Sequence, residues 1–89
     1  MKSENDKYIA SRFYAYLGKR VRYERRKRDL TQEQLADYLS CDRSYICEIE
    51  NGKKRISLYD LFILAIFLDM NITEFLPRTD KDSDDDNNA

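Results

Sequence analysis

Residues 31–54 of the chain read TQEQLADYLSCDRSYICEIENGKK and contain two short helical patterns separated by a three-residue turn. The first pattern begins at Thr31, which is spaced to form a capping box with Gln34. The second pattern follows Asp42, a good helix N-cap, and it ends before Gly52, which suits the left-handed position beyond a helix. Apolar residues occupy the inward positions of both patterns: Leu35, Ala36, Leu39, Ile46 and Ile49. The stretch therefore predicts two helices packed together across a tight turn.

Helical signals continue on both sides of this stretch. Residues 7–28 carry apolar side chains four positions apart, which predicts one long helix or two shorter ones. Ser57 caps a predicted helix over residues 58–68, and a short helical turn over residues 72–76 ends at Pro77. Alternating strand patterns and internal repeats are absent from the sequence. The sequence therefore predicts an all-α, five-helix fold.

The charge of the chain is distributed unevenly. The net charge of the 89 residues is -1. Residues 80–89, DKDSDDDNNA, hold five Asp and one Lys, a net of -4, so residues 1–79 carry +3. Residues 19–28, KRVRYERRKR, contain seven basic residues and one Glu. A basic, folded part and an acidic tail that we expect to be disordered are therefore predicted; the tail would add solubility or compete with phosphates for the basic face.

The residue inventory argues against most enzyme chemistry. The sequence has no His, two Cys six positions apart and no glycine-rich loop that could cradle a nucleotide. We therefore predict that the chain is not an enzyme and needs no metal or cofactor. It also shows no signal peptide and no apolar run long enough to cross a bilayer, so we expect a cytoplasmic protein.

Residues 17–76 resemble the lambda-repressor/Cro-type (Xre-like) helix-turn-helix DNA-binding family. The resemblance is carried by Thr-Gln-Glu-x-Leu-Ala, a small turn, and then x-x-Ile-x-x-x-Glu-x-Gly, in that order. Ser40 stands where the family usually has a turn glycine, so a strained turn is expected. The resemblance implies a lambda-repressor-like helix-turn-helix domain over residues 15–77, with an N-terminal helical extension over 1–14 and the acidic tail over 78–89.

In such proteins the second helix of the motif enters the major groove of DNA, where side chains of its first turns reach base edges. The predicted base-contacting residues on the outward face are Arg43, Ser44, Cys47 and Glu48. Arg43 could bind guanine with two hydrogen bonds, and Ser44 could read either base type. Glu48 could accept from cytosine or orient an arginine, and Cys47 could contact a thymine methyl group.

The predicted contacts to the DNA backbone surround this helix. They are made by Gln32, Tyr45, Asn51, Lys53, Lys54 and Arg55. Gln32 owes its assignment to the resemblance, which implies a phosphate or base-edge contact there. Tyr45 could either donate to a phosphate or pack against the preceding helix. The resemblance also implies a structural ion pair between Arg25 and Glu50.

The predicted helix over residues 58–68 has more apolar surface than one core requires. Its core stripe is predicted to be Leu58, Leu61, Leu64, Ala65 and Leu68. The surplus, together with an apolar stripe near the N terminus, predicts a homodimer interface formed by Ile9, Phe13, Tyr59, Ile63, Ile66 and Phe67. The alternative is that the N-terminal segment folds back over this helix within one chain.

These features predict a sequence-specific, double-stranded-DNA-binding transcriptional regulator. It would act as a homodimeric repressor at a pseudo-palindromic operator, in a bacterial or phage-encoded, nucleoid-associated setting that the resemblance implies. One alternative is an antitoxin that binds both its operator and a toxin protein; a toxin or an anti-repressor is the possible protein partner. The other alternative is an interaction module on the same fold that does not bind DNA.

Overall fold

The computed structural model describes residues 4–79. They form four α-helices, α1 (Glu4–Lys27), α2 (Gln32–Leu39), α3 (Arg43–Glu50) and α4 (Leu58–Leu68), followed by a 3-10 helix, η1 (Ile72–Phe75). No strand occurs in this part of the chain, so the all-α prediction is confirmed there. Most of the predicted tail, from residue 80 onward, lies outside the described residues. None of the helices between residues 4 and 79 has the length and apolarity needed to cross a membrane.

The predicted count of five helices corresponds to four α-helices and one turn of 3-10 helix. The last segment has only four residues between its N-cap, Asn71, and Leu76, whose N–H donates to the Thr73 carbonyl at 3.1 Å. The tighter 3-10 hydrogen-bond pattern suits so short a piece, and Pro77 cannot continue a helix. At the other end, α1 is a single helix of 24 residues, and it runs without interruption across the predicted boundary between residues 14 and 15.

The caps of α2 and α4 form as predicted. Thr31 Oγ1 accepts from the Gln34 N–H at 3.0 Å, and Gln34 Oε1 accepts from the Thr31 N–H at 2.7 Å. Ser57 Oγ accepts from the Asp60 N–H at 3.0 Å. Asp42 occupies the N-cap position of α3, as predicted, but its carboxylate makes no capping hydrogen bond. Only its backbone carbonyl accepts a bond, from the Tyr45 N–H at 3.0 Å.

Two residues with positive φ shape the helix-turn-helix unit. Ser40 ends α2 with φ 59°, in the left-handed region that glycine favours. Serine has a Cβ atom, so the backbone of the turn is strained at this residue, as expected. Its N–H donates to the Asp37 carbonyl at 3.1 Å, and the Cys41 N–H donates to the Ala36 carbonyl at 2.9 Å. Gly52, with φ 73°, follows α3 as predicted.

The core lies among all five elements. Its buried apolar residues are Leu17, Val21, Leu35, Ala36, Ile46, Ile49, Leu61, Leu64, Ala65, Leu68 and Phe75. The prediction that Leu58 belongs to the core is wrong, because its side chain is 75% exposed. Leu58 is the first residue of α4, and the buried stripe of that helix begins one turn later, at Leu61.

α1 and α3 meet at backbone distance where Gly18 stands. A methyl group on Gly18 would overlap the Ile49 carbonyl oxygen and would lie 2.7 Å from the Glu50 carbonyl oxygen. Only glycine allows so close an approach. This contact sets the second half of α1, with its arginines, directly beside the C-terminal end of α3.

Candidate nucleic-acid interface

The solvent-facing side of α3 presents the four residues predicted to contact bases. Arg43, Ser44 and Glu48 are exposed and Cys47 is half-buried. The opposite side of the helix is held in the core by Ile46 and Ile49. The structure thus brings the four residues onto one face, as the helical period requires.

Glu50, at the end of α3, is a fully buried carboxylate surrounded by donors. Its side chain has no exposed surface. Arg25 Nε lies 2.6 Å from Oε2, and Arg25 Nη2 lies 3.0 Å from Oε1, so the ion pair implied by the resemblance is present. Gln32 Nε2 donates to Oε1 at 3.0 Å, and Arg22 Nε does so at 3.4 Å. The carboxylate therefore joins α1 and the start of α2 to α3.

The protonation states of this pair follow from its surroundings. Burial acts to raise the pKa of Glu50, but the hydrogen bonds from Arg25 and Gln32 and the charge of Arg25 outweigh it and lower the pKa. The hydrogen bond to Glu50 raises the pKa of Arg25. Both groups are therefore charged at neutral pH, and each compensates the burial of the other.

Gln32 connects this buried carboxylate to the exposed face of α3. Because its Nε2 donates to Glu50, its Oε1 points the other way and accepts from Arg43 Nη1 at 2.7 Å. The sequence assigned Gln32 to the DNA backbone, and the structure gives its amide two protein partners. The sequence does contain a hint of this role. Arg43 is the first residue of the next helix, and an arginine there can donate to the amide oxygen of Gln32.

Glu48 and Asn51 have partners within the same region. Lys54 Nζ lies 3.9 Å from Glu48 Oε1, whereas the side chain that orients Arg43 is Gln32. Asn51 Oδ1 accepts from Arg22 Nη2 at 2.8 Å, and its Nδ2 lies 3.5 Å from Cys47 Sγ as donor. The alternative in which Glu48 orients Arg43 is therefore not the arrangement that forms.

Tyr45 is turned toward α4. Its hydroxyl donates to Asp60 Oδ2 at 3.0 Å. Burial, followed by this hydrogen bond, raises the pKa of Tyr45 to about 12. Tyr45 thus forms a structural contact between α3 and α4, and the predicted phosphate contact would require this hydrogen bond to break.

The loop after α3 is strongly basic. Lys53, Lys54 and Arg55 are all exposed, and the guanidinium carbon of Arg55 lies 5.5 Å from the centre of the Tyr14 ring. This cation–π contact fixes the loop against α1. The three predicted backbone-contacting cations are thus grouped at the C-terminal end of α3.

Several cations of residues 19–28 are engaged by a second buried carboxylate that the sequence did not reveal. The Glu24 side chain is 4% exposed and lies 2.6 Å from Arg28 Nη1, 2.8 Å from Arg20 Nη2 and 3.5 Å from Lys27 Nζ. The hydrogen bond from Arg28, followed by the neighbouring positive charges, lowers the pKa of Glu24 against the effect of burial. Arg20 Nε also donates to the Glu74 carbonyl at 3.1 Å, which ties α1 to η1. Much of the basic run is therefore structural.

The surface predicted to form a dimer consists of two separate parts. On α4, Tyr59 is 70% exposed and Ile66 is 53% exposed, while Ile63 and Phe67 are half-buried. Two further apolar residues of α4 that the prediction omitted, Leu58 and Phe62, are more than half exposed. On α1, Ile9 and Phe13 line a groove with residues 76–79. Since Ile9, Tyr59 and Ile66 are each more than half exposed, α1 does not fold back over α4.

The helix-turn-helix family HTH_3 matches residues 21–75 of the chain, which include α2, the turn and α3. The chain belongs to this family. It is a DNA-binding transcription regulator of the Xre-like, lambda-repressor/Cro type, as the resemblance predicted. The matched residues include the exposed face of α3, which carries the four residues predicted to contact bases.

Similar members of the family are control proteins. The chain is 36% identical to control protein C.MunI of a Mycoplasma species over 64 residues, 72% of this chain and 84% of that protein. It is also 36% identical to control protein C.SmaI of Serratia marcescens over 62 residues, 70% of this chain and 74% of that protein. The crystal structure of the restriction-modification controller protein C.AhdI from Aeromonas hydrophila matches with a TM-score of 0.67 and 35% identity. That match covers 71% of this chain and 96% of the C.AhdI chain.

Proposed function

We propose that the chain is a sequence-specific transcriptional regulator that binds a pseudo-palindromic operator in double-stranded DNA as a homodimer. It would repress by occluding a promoter, and it would do so in the cytoplasm, on the nucleoid. Its likeness to control proteins, including a restriction-modification controller, supports a restriction-modification locus as the regulated target.

The observation that carries this proposal is the way Arg43 is held. Its guanidinium stands on the exposed face of α3, and it is oriented through Gln32 by the buried Glu50 carboxylate. An oriented arginine can make two parallel hydrogen bonds to guanine O6 and N7, the commonest base-specific contact in the major groove. Ser44 and Cys47, on the same face, would contact neighbouring base edges, and Glu48 would do so where its contact with Lys54 opens.

Contacts with the DNA backbone would come from both ends of α3. Lys53, Lys54 and Arg55 would neutralise phosphates after the helix, with Asn51 beside them. Gln32 stands at the first position of α2, and the positive end of the helix dipole there would favour a phosphate, while its side chain orients Arg43. Such contacts position the protein without reading sequence.

The homodimer would form through the exposed apolar side of α4. Leu58, Tyr59, Phe62 and Ile66 are each more than half exposed there, and contiguous apolar surface on a small domain marks an interface. Two copies would place their recognition helices about 34 Å apart, one turn of DNA, and so would read the two halves of a pseudo-palindrome.

The test is a selection of binding sites from random duplexes, followed by titration of the selected duplex at several salt concentrations. We expect an inverted repeat whose log affinity falls linearly with log salt. If no sequence is enriched while binding remains salt-sensitive, the chain would be a non-specific backbone binder, and the proposal would be wrong.

The same α4 surface would also suit an antitoxin, in which a toxin protein covers the apolar side chains. Sedimentation of the purified chain distinguishes the two functions. A stable dimer that binds the selected operator unaided supports the regulator. A monomer whose α4 surface stays uncovered, and which binds the operator only when a second protein is added, would favour the antitoxin.

A further inference from the structure

A cleft separates the N-terminal half of α1 from the loop that follows α3. Its lining residues are Lys7, Ala10, Ser11 and Tyr14 of α1 and Gly52, Lys53, Lys54 and Arg55 of the loop. Four of these eight residues are cations and none is a carboxylate. The cleft therefore has the charge and the hydroxyl groups to hold an anion.

The cleft is formed by packing and does not depend on a ligand. The loop lies tightly on α1, because a methyl group on Gly52 would come 3.1 Å from the Ala15 Cα. The cation–π contact of Arg55 with Tyr14 holds the other end of the loop. Because the backbone of both walls is packed in place, only the lysine side chains have to be ordered when an anion binds.

Two of its cations have no charged partner within residues 4–79. Lys7 and Lys53 are exposed and make no ion pair in the described part of the chain. Lys54 has only a long contact with Glu48, at 3.9 Å. This contrasts with the second half of α1, where Arg20, Arg25 and Arg28 are engaged by buried carboxylates. The positive charge of the cleft is therefore available to an external anion.

The position of the cleft indicates which anion this is. The Lys53 N–H donates to the Glu48 carbonyl at 2.8 Å, so the loop continues directly from the C-terminal end of α3. Arg43 stands at the other end of this eight-residue helix, about 12 Å away along its axis. An anion in the cleft would thus lie beyond the bases near Arg43, where a helix in the major groove is flanked by DNA phosphates.

We propose that this cleft binds a backbone phosphate of the DNA outside the bases read by α3, and that Lys7 of the N-terminal extension is its key residue. This inference rests on the proposed function. The family match begins at residue 21, so Lys7, Ser11 and Tyr14 lie outside the matched unit. The extension of α1 would therefore lengthen the operator footprint beyond that of the helix-turn-helix unit alone.

The test compares the parent chain with Lys7→Ala on two duplexes, the selected operator with long flanks and the same operator trimmed at both ends. On the long duplex, the slope of log affinity against log salt should be smaller for Lys7→Ala by about 0.9 per subunit, or about 1.8 for the dimer. On the trimmed duplex the two proteins should have equal slopes. Base preferences should be the same for both proteins, since a phosphate contact carries no sequence information.

Arg12→Ala is the matched control. Arg12 belongs to the same extension and carries the same charge, but it lines the groove beside residues 76–79 and donates to the Tyr8 hydroxyl at 3.3 Å. Its loss should leave the salt slope at the parent value. Alanine is the best helix former, so both variants should keep the helical content of the parent in circular dichroism.

Two results would overturn the inference. One is a parental salt slope for Lys7→Ala on the long duplex. The other is an equal loss of slope on the long and the trimmed duplex, which would place the contact inside the half-site. Either result leaves the proposed function standing, provided that the parent selects an operator. If the parent selects none, the proposed function fails and this inference fails with it.

Discussion

The buried carboxylate of Glu50 fixes the positions of several polar side chains around it. Glu50 has no exposed surface, and its partners on α1 and α2 keep it ionised. Through Gln32 it also restricts Arg43, the exposed residue best suited to read a base. Pre-orienting a long side chain reduces the conformational entropy lost on binding, so under the proposed function the buried group would contribute to recognition without touching DNA.

Arg43→Ala should weaken discrimination at one base position of each half-site by about 1–3 kcal/mol. Gln32→Ala should cause a smaller loss at the same position, and the double variant should lose no more than Arg43→Ala, because Gln32 acts through Arg43. Competition binding with single-base operator variants measures these effects. Lys54→Ala is the control and should weaken all operators about equally; an Arg43→Ala protein with parental base preferences would refute the assigned role.

At the scale of elements, close backbone contacts and turns position the recognition helix. Gly18 lets α1 lie against the end of α3, and Ser40 turns the chain between α2 and α3. Each residue acts locally, but each also determines where α3 lies and hence where the exposed Arg43 stands. The external side of α4 is apolar. Phe67 stacks on Tyr38 of α2 with ring centroids 4.1 Å apart, whereas Tyr59 and Ile66 stay more than half exposed.

Ser40→Gly should stabilise the protein. A left-handed conformation costs a residue with a Cβ atom about 1–2 kcal/mol, and glycine removes this cost. Part of the gain is offset because glycine has greater conformational freedom in the unfolded chain. A net gain of about 1 kcal/mol is expected in urea unfolding monitored by circular dichroism. Ser11→Gly, in the exposed middle of α1, should have the opposite sign. A Ser40→Gly protein less stable than the parent would show that the hydroxyl group contributes more than the backbone strain costs.

Ile66→Lys should yield a folded monomer with weaker operator binding. Ile66 is 53% exposed on the apolar side of α4, so a lysine is tolerated in the monomer but would have to be desolvated in a dimer. Sedimentation equilibrium and operator titration measure the two effects. Tyr23→Lys is the matched control, because Tyr23 is 55% exposed on α1, away from α4, and should leave the association unchanged. Undiminished dimerisation of Ile66→Lys would move the interface elsewhere.

At the scale of the whole molecule, a net charge of -1 conceals an exposed group of cations after α3. Two buried carboxylates, Glu24 and Glu50, hold cations from α1 in fixed positions, while the cations after α3 stay exposed. Some of the cations therefore form ion pairs that stabilise the fold, and the others lie on the surface. Since cohesion depends on ionised carboxylates, stability is coupled to pH.

The free energy of unfolding should have its full value above the ordinary carboxyl pKa of about 4.3. It should decrease as the pH drops below that value. The folded state lowers the pKa of both Glu24 and Glu50, so acid favours proton uptake by the unfolded chain. Thermal melts between pH 7 and pH 3 test this. Glu24→Gln should be less stable than the parent at pH 7 and should lose less on acidification. Parallel pH profiles of the two proteins would show that Glu24 does not contribute to the coupling.

Features that depend on neighbouring residues could be predicted from the order of amino acids alone. Thr31 with Gln34, Ser57 and Gly52 act within one helical turn, so their caps and the left-handed turn were predictable. The order of the motif predicted the family in the same way. The side on which α3 is exposed followed from its helical period.

Features that join distant parts of the chain became known only from the packed helices. Leu58 looked like a core residue, yet its side chain lies on the solvent side of α4 and is 75% exposed. The hydroxyl of Tyr45 found Asp60, and the amide of Gln32 found both Glu50 and Arg43. The physical reason is range. Caps and periods depend on interactions within a few residues, whereas the partner of a buried polar group is set by how whole helices pack.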